Sequence, residues 1–214
     1  MTIASSRRAA ARAALQAGLL ALGLLAGCGS LLPKPAPAPT LFALDDAAPA
    51  SAPARKPAAT APTLLIGTPR AAAGFDSRNI VYVRQAHELE AFAYNQWVDT
   101  PAQMLAPLIA RAIEGTGAFR AVVLAPTSAA ADLRLDTELI RLQHEFTAQP
   151  SQVRLTLRAV LVETTARRVV AVREFDTRVP SASEDPYGGV LAANEATRRV
   201  LAELAAFCAL EASR

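Results

Sequence analysis

The stretch QVRLTLRAVLVET, residues 152–164, alternates between apolar and polar side chains over most of its length. A period of two residues is typical of a β-strand whose two faces meet different surroundings. One face is apolar and consists of Val153, Leu155, Leu157, Ala159 and Leu161. The other face carries Arg154, Thr156 and Arg158. This pattern predicts a sheet that other elements cover on one face only.

The flanking sequences extend the same sheet. The turn TTARR (164–168) leads into VVAVREFDTRV (169–179), which predicts a long antiparallel hairpin, or a three-strand meander together with the preceding strand. That preceding stretch, DLRLDTELIRLQHEF (132–146), has leucines at 133, 135 and 139 and then shifts its phase to Ile140 and Leu142. A change of phase in an alternating run indicates a β-bulge.

Shorter apolar runs upstream predict further strands in TLLIGTP (63–69), NIVYV (79–83) and FRAVVLAP (119–126). The stretch ELEAFAYNQW (88–97) has the composition of a helix, but its alternation favours a strand beside NIVYV. Residues 40–44, TLFAL, can form a short strand that either pairs with the domain or belongs to an extended stalk. We expect the pairing.

Two helices complete the predicted fold. Thr100, Pro101 and Gln103 form a capping-box signature, and an apolar stripe follows at 105, 108, 109, 112 and 113. Pro107 lies inside this helix, so we expect a kink or a late start. The second helix is predicted from about Asp185, a candidate cap, to Leu210. The predicted fold is α+β (a two-layer α/β sandwich), with a mostly antiparallel sheet and both main helices on one face.

The amino terminus has the layout of a secretory signal. Three arginines and no acids precede an apolar run that ends in LLALGLLAGCGS (19–30). The apolar residues 13–26 are too few to cross a bilayer, which needs ~20 residues. LAGC resembles the bacterial lipobox, which implies cleavage after Gly27 and attachment of lipid to Cys28. A cleaved signal with an incidental cysteine is the alternative.

The lipobox resemblance sets the expected domain organisation. Residues 1–27 form the lipoprotein signal peptide, and residues 28–62 form the lipidated cysteine and a Pro/Ala-rich tether that contains the short strand near 40–45. Residues 63–214 form the domain. Gly29 and Ser30 follow the cysteine where an aspartate would favour the inner membrane, so the resemblance implies the periplasmic face of the outer membrane.

The charge balance gives no indication of nucleic-acid binding. Of the 22 Lys and Arg residues, three precede Cys28, and none of the 19 Asp and Glu residues does. The mature chain therefore carries equal numbers of basic and acidic side chains, and we find no block of Lys and Arg of the kind that binds polyanions.

No motif indicates catalysis. The two histidines, His87 and His144, lack metal-ligand spacing, and we expect both to be half-exposed strand residues. No nucleophile elbow, P-loop or dinucleotide fingerprint is present. We predict no enzyme activity, no metal and no cofactor. Cys208, in an apolar helical stretch, is predicted to be a buried structural residue.

Two groups of residues are candidates for a partner surface. Phe92, Tyr94 and Trp97 are concentrated just before the first helix. Trp97 either packs beneath that helix or contributes to a contact surface, since Trp and Tyr are enriched at interfaces. The second group is the polar sheet face with Arg154, Arg158 and Arg173, whose alternative interpretation is a solvated face.

The order of these features resembles the ABC-type transport auxiliary lipoprotein family, which includes the lipoprotein of the paraquat-inducible (Pqi) intermembrane transport system. The similarity runs from Cys28 to about Cys208. The matching residues are Tyr94, Trp97, Pro101, Leu105, Gly117, Phe119 and Val122.

The resemblance implies a non-catalytic lipoprotein that works with MCE-domain proteins and, indirectly, with the permease and ATPase of an inner-membrane ABC transporter. Such systems move phospholipid or related hydrophobic molecules between membranes. Some members form rings, so a homo-oligomeric ring is a further expectation from the same resemblance. The alternatives are another periplasmic lipoprotein adaptor, such as a cell-wall synthase activator or an outer-membrane assembly factor, and a lipid carrier with its own cavity.

Overall fold

The computed structural model describes residues 37–45 and 57–213. These residues form one mixed sheet of nine strands and two α-helices, an α+β fold as predicted. In chain order the elements are β1 (Thr40–Phe42), β2 (Thr63–Ile66), β3 (Arg70–Ala71), β4 (Asn79–Val83), β5 (Glu90–Trp97), α1 (Pro101–Glu114), β6 (Ala121–Leu124), β7 (Leu133–Glu145), β8 (Gln152–Glu163), β9 (Arg168–Pro180) and α2 (Pro186–Ala212).

The centre of the sheet is the meander β7–β8–β9. Both pairings are antiparallel and run along nearly the whole length of the strands. The register of β7 on β8 shifts between Leu139 and Arg141, which confirms the bulge predicted from the change of phase. The bulge lets Leu139 and Leu142 both face the core although they are three residues apart.

The shorter strands line the other side of β7. Strands β2, β3 and β4 each pair with β7 in parallel, β6 pairs with β2 in parallel, and β5 pairs with β4 antiparallel. The two-residue strand β3 is absent from the prediction because a run of two residues has no periodicity. The sheet is therefore mixed, and its longest pairings are the predicted antiparallel ones.

Strand β1 joins the sheet as its outermost strand at one end, in parallel with β5. The compact unit begins at Pro39, so residues 40–45, which the sequence assigns to the tether, contribute to the domain. Leu44 lies in the core, and Asn194 of α2 accepts a hydrogen bond from the Asp45 amide at 2.8 Å. The expected pairing of this segment is confirmed.

The two helices differ in how they begin. Asp185 caps α2 by accepting a hydrogen bond from the Gly188 amide at 2.7 Å. Thr100 occupies the N-cap position of α1, but its side chain makes no capping hydrogen bond, so the predicted capping box is not formed. Helix α1 starts at Pro101 and continues through Pro107, so of the two expected outcomes the late start is wrong, and the kink stays a prediction.

One continuous hydrophobic core lies between the sheet and the helices. The apolar face of β8 is fully buried there, and Leu105, Leu108, Ile109 and Ile113 supply the buried stripe of α1. Phe175 on β9 meets Phe207 on α2 with ring centroids 6.0 Å apart. Cys208 is fully buried, as predicted, and burial raises the pKa of its thiol to about 12.

Candidate functional site

The face of β7–β9 that points away from the helices, here called the outer face, carries a network of charged side chains. Arg154 donates two hydrogen bonds to the Asp176 carboxylate, at 2.8 Å and 3.1 Å. Thr156 donates to the same carboxylate at 2.6 Å. These bonds, first of all those from Arg154, lower the pKa of Asp176. Arg154 is thus a structural partner of β9 rather than a free cation.

Glu145 is the second acid of this network and is nearly buried. Gln143 donates to its Oε1 at 2.7 Å, and Gln152 donates to its Oε2 at 3.2 Å. Arg178 connects the two acids, because its guanidinium lies 3.8 Å from Glu145 and 3.4 Å from Asp176. The three strands are therefore cross-linked by hydrogen bonds on this face.

A groove of about 420 Å³ opens over this network. Its floor is polar and includes Arg141, Arg154 and Arg178, and its wall is apolar and includes Phe75 and Leu89. A concave surface with apolar walls and a few directed polar groups is the usual form of a binding site, and the volume lies within the usual range of about 300–1,000 Å³.

Two arginines of the outer face lack an acid partner. Among the residues that the structure describes, no carboxylate lies within ion-pair distance of Arg141 or Arg158, although Arg141 is half-buried. Arg141 is opposite Thr156 in the register, and Arg158 lies two residues further along β8, so the two guanidinium groups are diagonal neighbours. Glu138 and Glu174 lie opposite Arg158 in the register of the neighbouring strands, so Arg141 is the less compensated of these two cations.

The predicted aromatic group does not form one surface. Trp97 is only 2% exposed and packs in the core, so it contributes no contact area. Phe92 is half-buried and stacks on Tyr82 with ring centroids 4.4 Å apart, whereas Tyr94 is exposed. Strands β4 and β7 separate β5 from β8, so these aromatic residues and the arginines of the outer face lie in different parts of the sheet.

Arg173 was expected on the polar face but lies on the helix side. It is opposite the buried Ala159 in the register, its guanidinium lies 5.0 Å from the centroid of the Phe175 ring, and Glu203 of α2 is 3.9 Å away. The error arises because β9 is an edge strand, where an arginine at a core-facing position can extend past the last apolar side chain to solvent.

His144 was predicted to be half-exposed, but it is buried on the helix side of β7. Its Nε2 is within hydrogen-bond distance of Ser151 Oγ (2.8 Å) and Ser181 Oγ (3.0 Å). The ring packs against α2 at Gly189, where an added Cβ would be 2.5 Å from His144 Nδ1. Burial lowers the pKa of His144. His87, also expected in a strand, is exposed in a turn with φ of 70°.

One feature of the sequence indicates a close contact at the start of α2. The glycine pair at 188–189 weakens a first helical turn without any local benefit, which indicates a close approach by another group. The sequence does not show which group that is, because β7 and α2 are about 45 residues apart.

Cys28, the predicted lipidation site, lies outside the described residues. Within residues 37–45 and 57–213, no cluster of side chains could hold a metal ion. Over the same residues, no helix is both long enough and apolar enough to span a membrane.

The chain is a small α+β domain with an open, charged sheet face. The chain belongs to the ABC-type transport auxiliary lipoprotein component family, whose model matches residues 42–205. This confirms the family that the sequence motifs resemble. No curated protein matches the chain.

Two of the solved structures to which the chain is similar share this fold, with TM-scores above 0.5. Protein XCC0632 from Xanthomonas campestris, of the family DUF330, is 26% identical with a TM-score of 0.68, over 81% of this chain and 97% of that one. An uncharacterized protein is 11% identical with a TM-score of 0.62, over 80% and 99% of the two chains. PelC from Paraburkholderia phytofirmans, solved as a dodecamer, is 14% identical with a TM-score of 0.45, over 75% and 94%.

Proposed function

We propose that this chain is the outer-membrane-anchored, non-catalytic auxiliary component of an intermembrane transport system. In this proposal an ABC transporter and an MCE-domain protein move lipid between the two membranes, and the lipoprotein holds the assembly at the periplasmic face of the outer membrane. The observation that carries the proposal is the family match over residues 42–205, preceded in the same chain by a lipobox at Cys28.

The anchoring part rests on the lipid at Cys28. One acyl chain holds a protein to a membrane only marginally, whereas two or more hold it stably. The Pro-rich residues 29–39 reach roughly 30 Å, so the domain would be held close to the bilayer. An anchored protein with a short tether is suited to holding a partner in place.

The docking part rests on the outer face. Arg141 and Arg158 offer two unpaired guanidinium groups beside a groove with an apolar wall. Arginine and apolar contacts together form the centre of many protein interfaces. We assign this face to the partner protein of the transport system. A homo-oligomeric ring is a further proposal, which native mass spectrometry of the lipidated protein would test.

The test is capture of partners from solubilised membranes with the full-length, lipidated and affinity-tagged protein. We expect an MCE-domain protein to be enriched. The double variant Arg141→Glu/Arg158→Glu should capture less than half as much of it as the unaltered protein. The matched control is Arg111→Glu, a charge reversal at an exposed position of α1, which should capture as well as the unaltered protein.

Two results would contradict the proposal. Enrichment of a peptidoglycan synthase or an outer-membrane assembly barrel in place of an MCE-domain protein would assign the chain to another class of adaptor. Undiminished capture by the double variant would remove the outer face from the docking role.

A further inference from the structure

Exposed apolar side chains are concentrated around strand β1. Of the ten large hydrophobic residues that are exposed in the described part of the chain, five surround this strand, and each is between 45% and 59% exposed. We call them the β1 patch: Leu41, Tyr94, Val98, Tyr187 and Leu191. Scattered single exposed residues need no explanation, but a contiguous apolar patch marks an interaction site.

The contacts of β1 place the members of the patch on this strand or directly beside it. Leu41 lies on β1 itself, and Tyr94 precedes Asn95, which pairs with Thr40. The Val98 amide donates to the Phe42 carbonyl at 2.7 Å.

Helix α2 supplies the other half of the patch. The Tyr187 ring centroid lies 6.4 Å from that of Phe42. Leu191 is one helical turn after Tyr187, and Asn194, on the same stripe of the helix, donates to the Ala43 carbonyl at 3.3 Å. Phe42 packs against the core, so the alternation of the strand places Leu41 on the opposite face of the sheet. The two halves of the patch therefore lie on either side of the edge that β1 forms.

We propose that the β1 patch is the surface with which the domain rests on the lipid bilayer. The inference rests on the anchoring part of the proposed function and adds to it the orientation of the domain. The tether ends at Pro39, directly before β1, so the chain that leads from the bilayer enters the domain at the patch itself. A tether of about 11 residues keeps the patch within roughly 30 Å of the lipid, which gives even a weak contact a high effective concentration.

The composition of the patch suits the interface of a bilayer. Tyrosine is enriched at the level of the headgroups, where its ring is apolar on one side and its hydroxyl remains hydrated. The five side chains carry no charge, so the contact needs no anionic lipid. The patch should enter the bilayer only to the depth of the headgroups. The unpaired backbone groups of the edge strand require water, which the headgroup region retains.

The test uses full-length, lipidated protein in vesicles of pure phosphatidylcholine, with single cysteines introduced by Leu41→Cys, Leu191→Cys and Leu210→Cys. Each cysteine is labelled with an environment-sensitive nitrobenzoxadiazole group. Cys208 is fully buried with a raised pKa, so it does not compete for the label in the folded protein. Leu210 is the matched control, because it is at least as exposed as Leu191 and lies on the same helix, roughly 28 Å away.

We expect the labels at 41 and 191 to show blue-shifted emission and to lose most of their intensity when the vesicles contain doxyl-labelled phosphatidylcholine. The label at 210 should show neither effect. A blue shift at 41 and 191 without quenching would mean that protein, such as a second copy of the chain, covers the patch, and it would overturn the inference.

Flotation of the vesicles separates failure of the orientation from failure of the anchor. Protein that floats with the vesicles but shows no quenching at 41 and 191, or equal quenching at 210, contradicts the orientation and leaves the anchor intact. Protein that does not float contradicts the anchor and with it the orientation.

Discussion

Trp97 shows how one residue connects the end of the sheet to the helical layer. Its side chain lies in the core, its backbone pairs with Phe42 of β1, and its amide donates to the Arg78 carbonyl at 2.8 Å. The last residue of β5 therefore joins the short outer strand to the core. A tryptophan in this position is a packing residue, which decides between the two interpretations that the sequence left open.

Replacing Trp97 with alanine tests this role. Loss of a buried aromatic side chain typically costs about 3–5 kcal/mol, so we expect the free energy of unfolding in urea to fall by that order. Tyr94→Ala is the control, because an exposed residue three positions away should change the stability by no more than about 0.5 kcal/mol. Equal midpoints for Trp97→Ala and the unaltered protein would show that the side chain is not a core residue in solution.

At the scale of elements, His144 joins the end of β7 to the first turn of α2. Ser151 and Ser181 bind its Nε2, and the Gly189 position leaves room for its ring. Glu184 and Asp185 lie beside it at the start of the helix and favour its protonated form, but burial is the larger effect and lowers the pKa of His144. The helix thus docks on a neutral histidine.

The pH dependence of stability follows from this docking. Above the unfolded pKa of about 6.5, His144 is neutral in both states and its contribution is complete. As the pH falls below that value, the unfolded chain takes up a proton that the folded one resists. The free energy of unfolding should therefore decline, by at most about 1.4 kcal/mol per pH unit, until the pH passes the folded pKa.

Urea unfolding at a series of pH values between about 7 and 5 measures this decline. His144→Gln should remove it, and His87→Gln, at an exposed turn, should retain it. Hydrogen bonds from Ser151 and Gly188 lower the pKa values of Glu184 and Asp185, so these groups add a decline of the same sign as the pH approaches their unfolded pKa values of 4.5 and 3.8. That part of the decline lies at the acid end of the series and is retained in His144→Gln. A decline that persists unchanged in His144→Gln would mean that another group causes it.

The elements that depend on local pattern could be predicted from the sequence. The alternation of β8, the change of phase at the β7 bulge and the stripe of α1 each follow from the side chains within one segment. The parallel pairing of β3 and the burial of His144 could not be predicted, because they depend on which distant segment lies alongside. Arg173 was predicted on the wrong face of the sheet for the same reason. The face on which a polar residue of an edge strand lies depends on the surroundings of that edge, which the local pattern does not contain.

At the scale of the whole molecule, the domain has three distinct surfaces. Helices α1 and α2 cover one face of the sheet, the outer face carries the groove and the unpaired arginines, and the β1 patch occupies the edge where the tether enters. In our proposal the β1 patch faces the bilayer and the outer face meets the partner. An anchored adaptor needs these two contacts at once, and they lie in separate parts of the fold.

The account as a whole depends on the lipid at Cys28, since the short tether and the orientation of the domain follow from it. The most direct test is mass spectrometry of the amino-terminal peptide of the protein purified from membranes. We predict that the mature chain begins at Cys28 and carries a diacylglyceryl group on the thiol and a fatty acyl group on the amine. A mature chain whose first residue carries no fatty acid, or one that retains residues 1–27, would contradict the account.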